Sequence, residues 1–467
     1  MLKRAGAAAI VLMWLAIGCG GGSATHTIRV DYSSDEFASF LLANFPKQLE
    51  VHPGDTLVIR QTWTGEPHTF TGGTEIDKRL GDASALLDLF TSFDALRAAG
   101  VELPDPENPG GATVADFARI LLNAKPSADR TKLINAINTL RAKDKHFPDL
   151  DHPPVQSFAD FVSYVGPLGD KMLEGLPQAI GDNGITQNGG KACYLRTGVP
   201  PKDDNKSCTT AQEKQPAFDG TQSYYSSGVI PYEGAQGNTY RVPLSKDIKP
   251  GTYIFFCAVH GPEQQTKVVV KPAGQKIGSD GDVTREAQKE INVLIEPLRK
   301  QFLQATRTNR LTLPGPEGKQ TTVSGPFAGL IGEGRSAVNE FVPKQLTARA
   351  GAPITWKMMG AEHTIAFGVP SYFPQMEFLK NGTVRLNPKI DPPAGGAKKY
   401  PSPQGQNGPP GPSKWDGGTY SGTGFWSSGL IGNQPFLEYT MRIAKPGTYR
   451  VACLIHPAMV GTVVVTA

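Results

Sequence analysis

Short runs in which apolar and polar residues alternate make up most of the chain, and Gly, Pro or Asp separates one run from the next. This pattern is typical of β-strands joined by turns. Between His26 and Phe70, for example, the turn residues Pro53-Gly54-Asp55 separate two such runs. The 53 Gly and 39 Pro of the 467-residue chain also fit many short strands. We therefore predict a mainly β protein.

Two stretches depart from this pattern, because their apolar residues are spaced as on one face of a helix. One is a large insertion at about residues 75–185, and the other is an amphipathic helix over Thr284–Gln304 that Pro297 should interrupt. The candidate helices of the insertion are Ala83–Ala98, Thr113–Ala124 with Thr113 as N-cap, Ser127–Lys143 with Ser127 as N-cap, and two weaker ones, Ser157–Val165 and Leu168–Ile180.

Several phrases occur twice along the chain in the same order, which indicates a duplicated domain. We expect a first domain over residues 26–273, a connector over residues 274–335 and a second domain over residues 336–467. The first domain would carry the helical insertion and then a loop over residues 186–222. The repeated phrases pair Phe45–Leu49 with Val342–Leu346, Tyr225–Ile230 with Trp426–Ile431, and the Lys-Pro-Gly-Thr-Tyr at Lys249 with that at Lys445.

The end of each repeat carries residues that can bind a metal. Cys453, His456 and Met459 lie on one short loop between two apolar runs. A thiolate, an imidazole and a thioether, joined by a second His, form a ligand set that selects copper. The repeat locates this second His, since His363 in Glu-His-Thr-Ile is the counterpart of His68 in Pro-His-Thr-Phe.

The first repeat has His68, Cys257 and His260 in the matching positions, but Glu263 takes the place of Met459. Three possibilities follow for the fourth position: Glu263 itself as a harder ligand, the adjacent Gln264 as an amide ligand, or no ligand. We favour a first site that still binds copper in an altered form, and a site that has lost its metal is the alternative.

The chain begins with the features of an export signal. Lys3 and Arg4 precede the apolar stretch from Ala5 to Ile17, which is too short to span a bilayer. Leu15–Cys19 resembles a bacterial lipobox, which implies cleavage of a signal peptide over residues 1–18 and a lipid on Cys19. Residues 19–25 would then be a flexible tether. We expect a lipoprotein outside the cytoplasm that contacts the membrane only through this anchor.

The remaining chemistry of the chain is modest. Cys193 and Cys208 should form a disulfide in an oxidising compartment. The formal net charge of +4, without a run of Lys or Arg, indicates no nucleic-acid partner. A further group of His and Asp residues lies among prolines without helical or strand spacing, and we interpret it as a solvated loop: His146, Asp149, Asp151 and His152.

The sequences around His363 and from Pro446 onward resemble the copper-binding motifs of cupredoxins, the plastocyanin, amicyanin and azurin family. The resemblance covers the strand-like parts of both repeats but neither the helical insertion nor the connector. It implies two Greek-key β-sandwiches with type 1 copper held by His363, Cys453, His456 and Met459. It also implies electron transfer to extracytoplasmic redox proteins, and we expect this to occur through an exposed edge of His456 beside Pro457, Ala458 and Val460.

Two other classes of function stay open. A multicopper oxidoreductase of the nitrite reductase or laccase type is also built from paired domains of this kind. The chain has eight His, none of them in a His-x-His pair, so a catalytic copper centre within one chain is disfavoured and we lean towards a carrier rather than an enzyme. The third class is a copper store or a partner-binding module in which the metal is structural.

Overall fold

The computed structural model describes most of the chain after residue 22. The described residues are 23–104, 110–154, 156–165, 180–181, 184–185, 190–198, 209–230, 238–314, 320–332, 336–359, 362–369, 376–378, 384–386, 414–431 and 437–467. They form two β-sandwiches, the first of which is interrupted by helices. The predicted fold class is therefore confirmed.

The first sandwich consists of a four-stranded sheet in the order β11-β5-β1-β3 and a six-stranded sheet in the order β4-β13-β12-β6-β10-β9. Buried and accessible residues alternate along β1 and β13, so each strand gives one face to the core. The core contains Ile28 and Ile59 from one sheet and Phe255 and Val268 from the other. The strands up to the connector are β1 (Thr25–Val30), β2 (Ser39–Leu41), β3 (Asn44–Phe45), β4 (Gln48–Val51), β5 (Thr56–Gln61), β6 (Thr71–Gly72), β7 (Ile180–Gly181), β8 (Gly184–Ile185), β9 (Cys193–Leu195), β10 (Tyr224–Ser226), β11 (Thr239–Pro243), β12 (Gly251–Cys257) and β13 (Gly261–Val270).

The second sandwich has a six-stranded sheet in the order β2-β17-β16-β19-β25-β23 and a five-stranded sheet in the order β18-β27-β26-β20-β24. Trp356 and Tyr439 from one sheet meet Phe367 and Val463 from the other in its core. The remaining strands are β14 (Arg310–Pro314), β15 (Gln320–Ser324), β16 (Phe327–Ile331), β17 (Ser336–Val342), β18 (Gln345–Arg349), β19 (Ile354–Met358), β20 (Ala366–Phe367), β21 (Met376–Phe378), β22 (Val384–Leu386), β23 (Lys414–Tyr420), β24 (Trp426–Ser427), β25 (Leu437–Ile443), β26 (Gly447–Ala452) and β27 (Val460–Thr466).

The helices of the insertion form a separate apolar cluster that includes Phe117, Leu133 and Phe158. Thr113 and Ser127 cap their helices as predicted, because each side chain accepts a hydrogen bond from a backbone N–H of the first turn. The first helix begins earlier than predicted.

The helices are α1 (Thr74–Ala98), α2 (Val114–Asn123), α3 (Ala128–Lys143), α4 (Thr210–Glu213) and α5 (Asp280–Thr308), and residues 158–165 are also helical.

Helix α5 continues through Pro297, contrary to the predicted interruption. A proline removes the hydrogen bond to the carbonyl four residues earlier, here that of Val293. Val293 is 72% exposed, so water can replace the lost donor. None of the helices among the described residues is both long and apolar enough to cross a membrane.

The second sandwich contains two strands from outside the second repeat. Strand β2 lies within the first repeat but pairs antiparallel with β17 of the second sandwich. Strand β16 comes from the segment assigned to the connector and pairs with β17 and β19. Ile291 and Leu298 of α5 pack against Phe45 and Leu330 beneath this junction. The pairing of β2 with β17 could not be predicted, because strand pairing over such a long sequence distance leaves no local signal.

Candidate metal centres

The strand pairing of the second sandwich brings its predicted ligands to one end of one sheet. His363 precedes β20, and Cys453 follows β26 directly. Because β20 pairs antiparallel with both β24 and β26, the start of β20 and the end of β26 lie side by side. His456 then follows Cys453 in the loop before β27. The described backbone thus brings His363 beside Cys453 and His456, which lie far from it in sequence.

The three donor atoms of this second site converge. The Nδ1 atoms of His363 and His456 are 3.0 Å apart, and Nδ1 of His456 is 3.6 Å from Sγ of Cys453. One donor atom from each of the three residues lies within 4.8 Å of the others, and all three residues are buried. Two ring nitrogens and a thiol that face one another, away from water, form a set that a soft or borderline cation can satisfy.

The first site repeats this arrangement. Sγ of Cys257 lies 3.5 Å from Nδ1 of His260 and 3.9 Å from Nδ1 of His68. These three residues also place one donor atom each within 4.8 Å of the others. Cys257 and Cys453 are the free thiols of the described residues, and both are buried. All six predicted His and Cys ligands are therefore gathered in two matching clusters.

In each site, the same pair of hydrogen bonds links the cysteine segment to a threonine. The backbone N–H of Thr69 donates to Sγ of Cys257, and the N–H of Thr364 donates to Sγ of Cys453, both at 3.3 Å. In return, the Thr69 and Thr364 hydroxyls each accept a backbone N–H from the residue after the cysteine, both at 2.7 Å. An N–H directed at the sulfur stabilises a thiolate.

The repeated Ser-Ser-Gly phrase positions the first histidine of each site. Oγ of Ser227 accepts the N–H of Phe70 at 2.8 Å, and Oγ of Ser428 accepts the N–H of Ile365 at 2.9 Å. Each serine therefore accepts the N–H of the residue two positions after a predicted ligand histidine. The repetition of this phrase is visible in the sequence, and these hydrogen bonds give the phrase a physical role.

The two sites differ behind their first histidine. Asp31 follows β1, Gly329 lies within β16, and the two residues occupy equivalent places in the strand pairing. Both have positive φ values, 65° and 74°. Oδ2 of buried Asp31 lies 3.1 Å from Nε2 of His68. A Cβ on Gly329 would lie 2.2 Å from Nε2 of His363, so the second site has no room for a side chain there.

The fourth position also differs between the sites. Met459 is fully buried on the loop of the second site. In the first site Gln264 is fully buried, and its Oε1 lies 3.1 Å from Nδ1 of His68. Glu263, the first of the three predicted possibilities, is instead exposed, because consecutive residues of β13 face opposite sides. The structure therefore places the Gln264 amide, rather than Glu263, beside the ligands.

The expected exposed edge of His456 is absent. This side chain is 1% exposed, and Oε1 of Glu66 lies 3.0 Å from its Nε2. Phe40 stacks on the ring at a centroid distance of 6.2 Å. The expectation was wrong because it treated the two domains separately, whereas a loop of the first covers the loop of the second that carries Cys453 and His456. His260, with 12% of its side chain exposed, is the more accessible of the two loop histidines.

In each site the electrostatics favour a thiolate beside a protonated histidine. Burial opposes ionisation of Cys453 and Cys257, but the adjacent histidines outweigh it and hold the pKa of each thiol well below its usual range. Burial likewise opposes protonation of His456 and His68. Cys453 and Glu66 nevertheless raise the pKa of His456 to about 10, and Asp31 and Cys257 do the same for His68. Metal binding must displace these protons, so acid should weaken it.

The pKa of His363 moves in the other direction. Burial lowers it, and the nearby positive charge of His456 lowers it further. Glu66 has a pKa far below its usual range, since hydrogen bonds from His260 and His456 outweigh the effect of burial. The carboxylate of Glu66 is thus ionised between the two sites.

The other predicted site residues lie elsewhere. Cys193 is buried, and Cys208 lies outside the described residues, so their disulfide stays a prediction. Cys19 lies outside them as well. The side chains of His146 and His152 are 75% and 87% exposed, which agrees with a solvated loop.

Three residues of the sites were not identified from the sequence: Asp31, Glu66 and Gly329. Asp31 and Gly329 lie where the two repeats have no sequence similarity, so no local signal marked them. Glu66 did leave a signal, because the segment from Gly54 to His68 is two residues longer than that from Gly351 to His363. This extra length falls in the loop that covers the second site.

Comparison with known proteins adds little to this geometry. Neither a protein-family model nor a curated protein matches the chain. A purple cupredoxin from Nitrosopumilus maritimus shares 16% identity over 27% of this chain and 83% of its own, with a TM-score of 0.14. An oxidised amicyanin mutant shares 15% over 27% and 73%, with a TM-score of 0.15. A mutant fern plastocyanin shares 16% over 27% and 89%, with a TM-score of 0.14. At these scores, the argument for a metal rests on the clusters themselves.

Proposed function

We propose that this protein binds copper in two type 1 sites and transfers single electrons between redox proteins outside the cytoplasm. The observation that carries the proposal is the pair of His-Cys-His clusters, each with its donor atoms within 4.8 Å of one another. Two imidazoles and a thiolate with a weak fourth ligand form the donor set of blue copper sites.

His363, Cys453 and His456 would hold the metal in the second site, with Met459 as its weak axial ligand. His68, Cys257 and His260 would hold it in the first, with Gln264 in the axial place. Bound copper supplies a centre that can gain and lose one electron. The protein holds each thiolate by a backbone N–H and excludes water around it, and both features tune the potential of such a centre.

The two sites differ in solvent exposure, and this difference indicates the side from which a redox partner would approach. His456 is covered by Glu66 and Phe40, whereas His260 keeps an accessible edge. A redox partner would therefore approach the pair from the side of His260. The second site would exchange electrons through the first rather than directly with the partner.

Metal analysis of the purified chain, combined with its visible spectrum and a redox titration, tests this function. We expect both sites to take up copper, to absorb intensely in the visible range and to be reduced reversibly by one electron each. Turnover of nitrite or phenols would favour the multicopper oxidoreductase instead. Copper that physiological donors cannot reduce would favour a store or a structural metal.

Replacing Gln264 by Met should change the first site alone. A thioether is a softer donor than an amide and favours Cu(I), so the potential of the first site should rise and its absorption should shift. Glu263→Met is the matched control, because this neighbouring residue faces solvent and should leave both spectra unchanged. If the absorption of the first site shifted with Glu263→Met and not with Gln264→Met, Glu263 would be the axial residue instead.

The proposal includes a cellular location at a membrane surface. A lipid on Cys19, followed by the tether over residues 19–25, would hold the folded chain at a membrane surface without a spanning helix. Mass spectrometry of the mature N-terminus checks this directly. An N-terminus that is unmodified, or that lies downstream of Cys19, would contradict the lipid anchor.

A further inference from the structure

One carboxylate lies between the two metal sites. Oε1 of Glu66 is 3.0 Å from Nε2 of His456, and Oε2 of the same residue is 3.5 Å from Nε2 of His260. Glu66 thus gives one oxygen to a ligand of each site. It lies in the first repeat, in the loop between Gly54 and His68 that is two residues longer than the corresponding loop of the second repeat.

The contacts fix how the two rings are turned. In each ring Nδ1 faces its own cysteine, at 3.5 Å for His260 and 3.6 Å for His456. The opposite nitrogen, Nε2, faces Glu66. A ligating histidine whose outer N–H is donated to a carboxylate has a fixed tautomer and orientation. Glu66 is placed to serve both rings in this way at once.

The surroundings hold Glu66 between the sites. Nε2 of Gln61 donates to its backbone carbonyl at 2.9 Å. Gly65 has a φ of +113°, and a Cβ at this position would lie 2.1 Å from the carbonyl oxygen of Ile455. The loop therefore approaches the second site as closely as a backbone can. A shift of either ring must move this carboxylate or break its contact.

We propose that Glu66 is a shared positioning residue that couples the two metal sites, so that metal in one site changes the affinity of the other. This inference rests on the metal sites of the proposed function. The coupling is reciprocal by thermodynamic linkage. It makes the two domains one functional unit rather than two independent carriers.

Titration of the metal-free full-length chain with Co(II), followed by thiolate-to-metal absorption, tests the inference. Cys257→Ser leaves the second site to be measured, and Cys453→Ser leaves the first. We expect Glu66→Gln to lower the Co(II) affinity about 10-fold or more in both backgrounds, because a group that hydrogen-bonds to a metal-ligating histidine contributes that much to metal binding. Asp31→Asn is the matched control and should weaken only the first site, whose His68 it contacts.

An effect of Glu66→Gln in one background only, or in neither, would overturn the proposal. A second measurement leaves Glu66 unchanged. It compares the Co(II) affinity of the second site in two proteins: the unaltered chain with its first site filled, and Cys257→Ser. We expect a difference on the order of 5-fold or more, and equal affinities would also refute coupling. A chain that shows this coupling but no reversible copper reduction would keep the inference and reject the electron-transfer function.

Discussion

Replacing Cys453 by Ser should remove the intense visible absorption of the second site and lower the copper content of the chain by about half. This absorption requires a thiolate bound to copper, and a hydroxyl is too hard and too weakly acidic to replace it. The side chain is buried at the end of β26, and its thiol is held by the N–H of Thr364. Absorption spectra and metal analysis of the purified variant measure both effects.

Cys257→Ser is the reciprocal experiment and the best control. It should remove the contribution of the first site and leave that of the second, and the two difference spectra should not be identical. Gln264 and Met459 give the sites different fourth side chains, which predicts different absorption. If Cys453→Ser kept the full spectrum and copper content of the unaltered chain, the assignment of the second site would fail.

Replacing Gly329 by Ala should disable the second site without altering any ligand. The new Cβ would lie 2.2 Å from Nε2 of His363 and 2.4 Å from the carbonyl oxygen of Met359, so the imidazole must move. Its Nδ1, on the other side of the ring, would then leave its place beside His456. We expect loss of the second site's absorption while that of the first site is retained.

Gly351→Ala separates this clash from backbone strain. Gly351 has a φ of +73°, close to the +74° of Gly329, but nothing lies within 4 Å of its added Cβ. This variant should lose about 1–2 kcal/mol of stability from the left-handed backbone and keep both copper spectra. Denaturation midpoints and spectra of the two variants measure the contrast. Equal spectra for Gly329→Ala and the unaltered chain would show that His363 is not a ligand.

The sequence predicted the parts of these sites that local patterns specify. Cys453 and His456 lie on one loop between apolar runs, and the repeat located His363 through His68 without any structural information. Helix caps such as Thr113 were equally visible, since capping depends on residues within one turn.

The errors came from contacts between distant segments. Glu263 and Gln264 are neighbours in sequence, and only the direction of β13 decides which of them faces His68. The burial of His456 depends on a loop nearly four hundred residues earlier. Such contacts depend on how the two sandwiches meet, and neither repeat contains that information by itself.

The pairing of β2 with β17 limits how this chain can be taken apart. A fragment beginning after α5 would keep β16 beside β17 but lose β2, and it would leave hydrogen-bonding groups at that edge of the sheet open to other chains. A fragment ending before α5 would carry β2 with nothing to pair with. The two sandwiches therefore cannot be separated on either side of α5 without breaking a sheet.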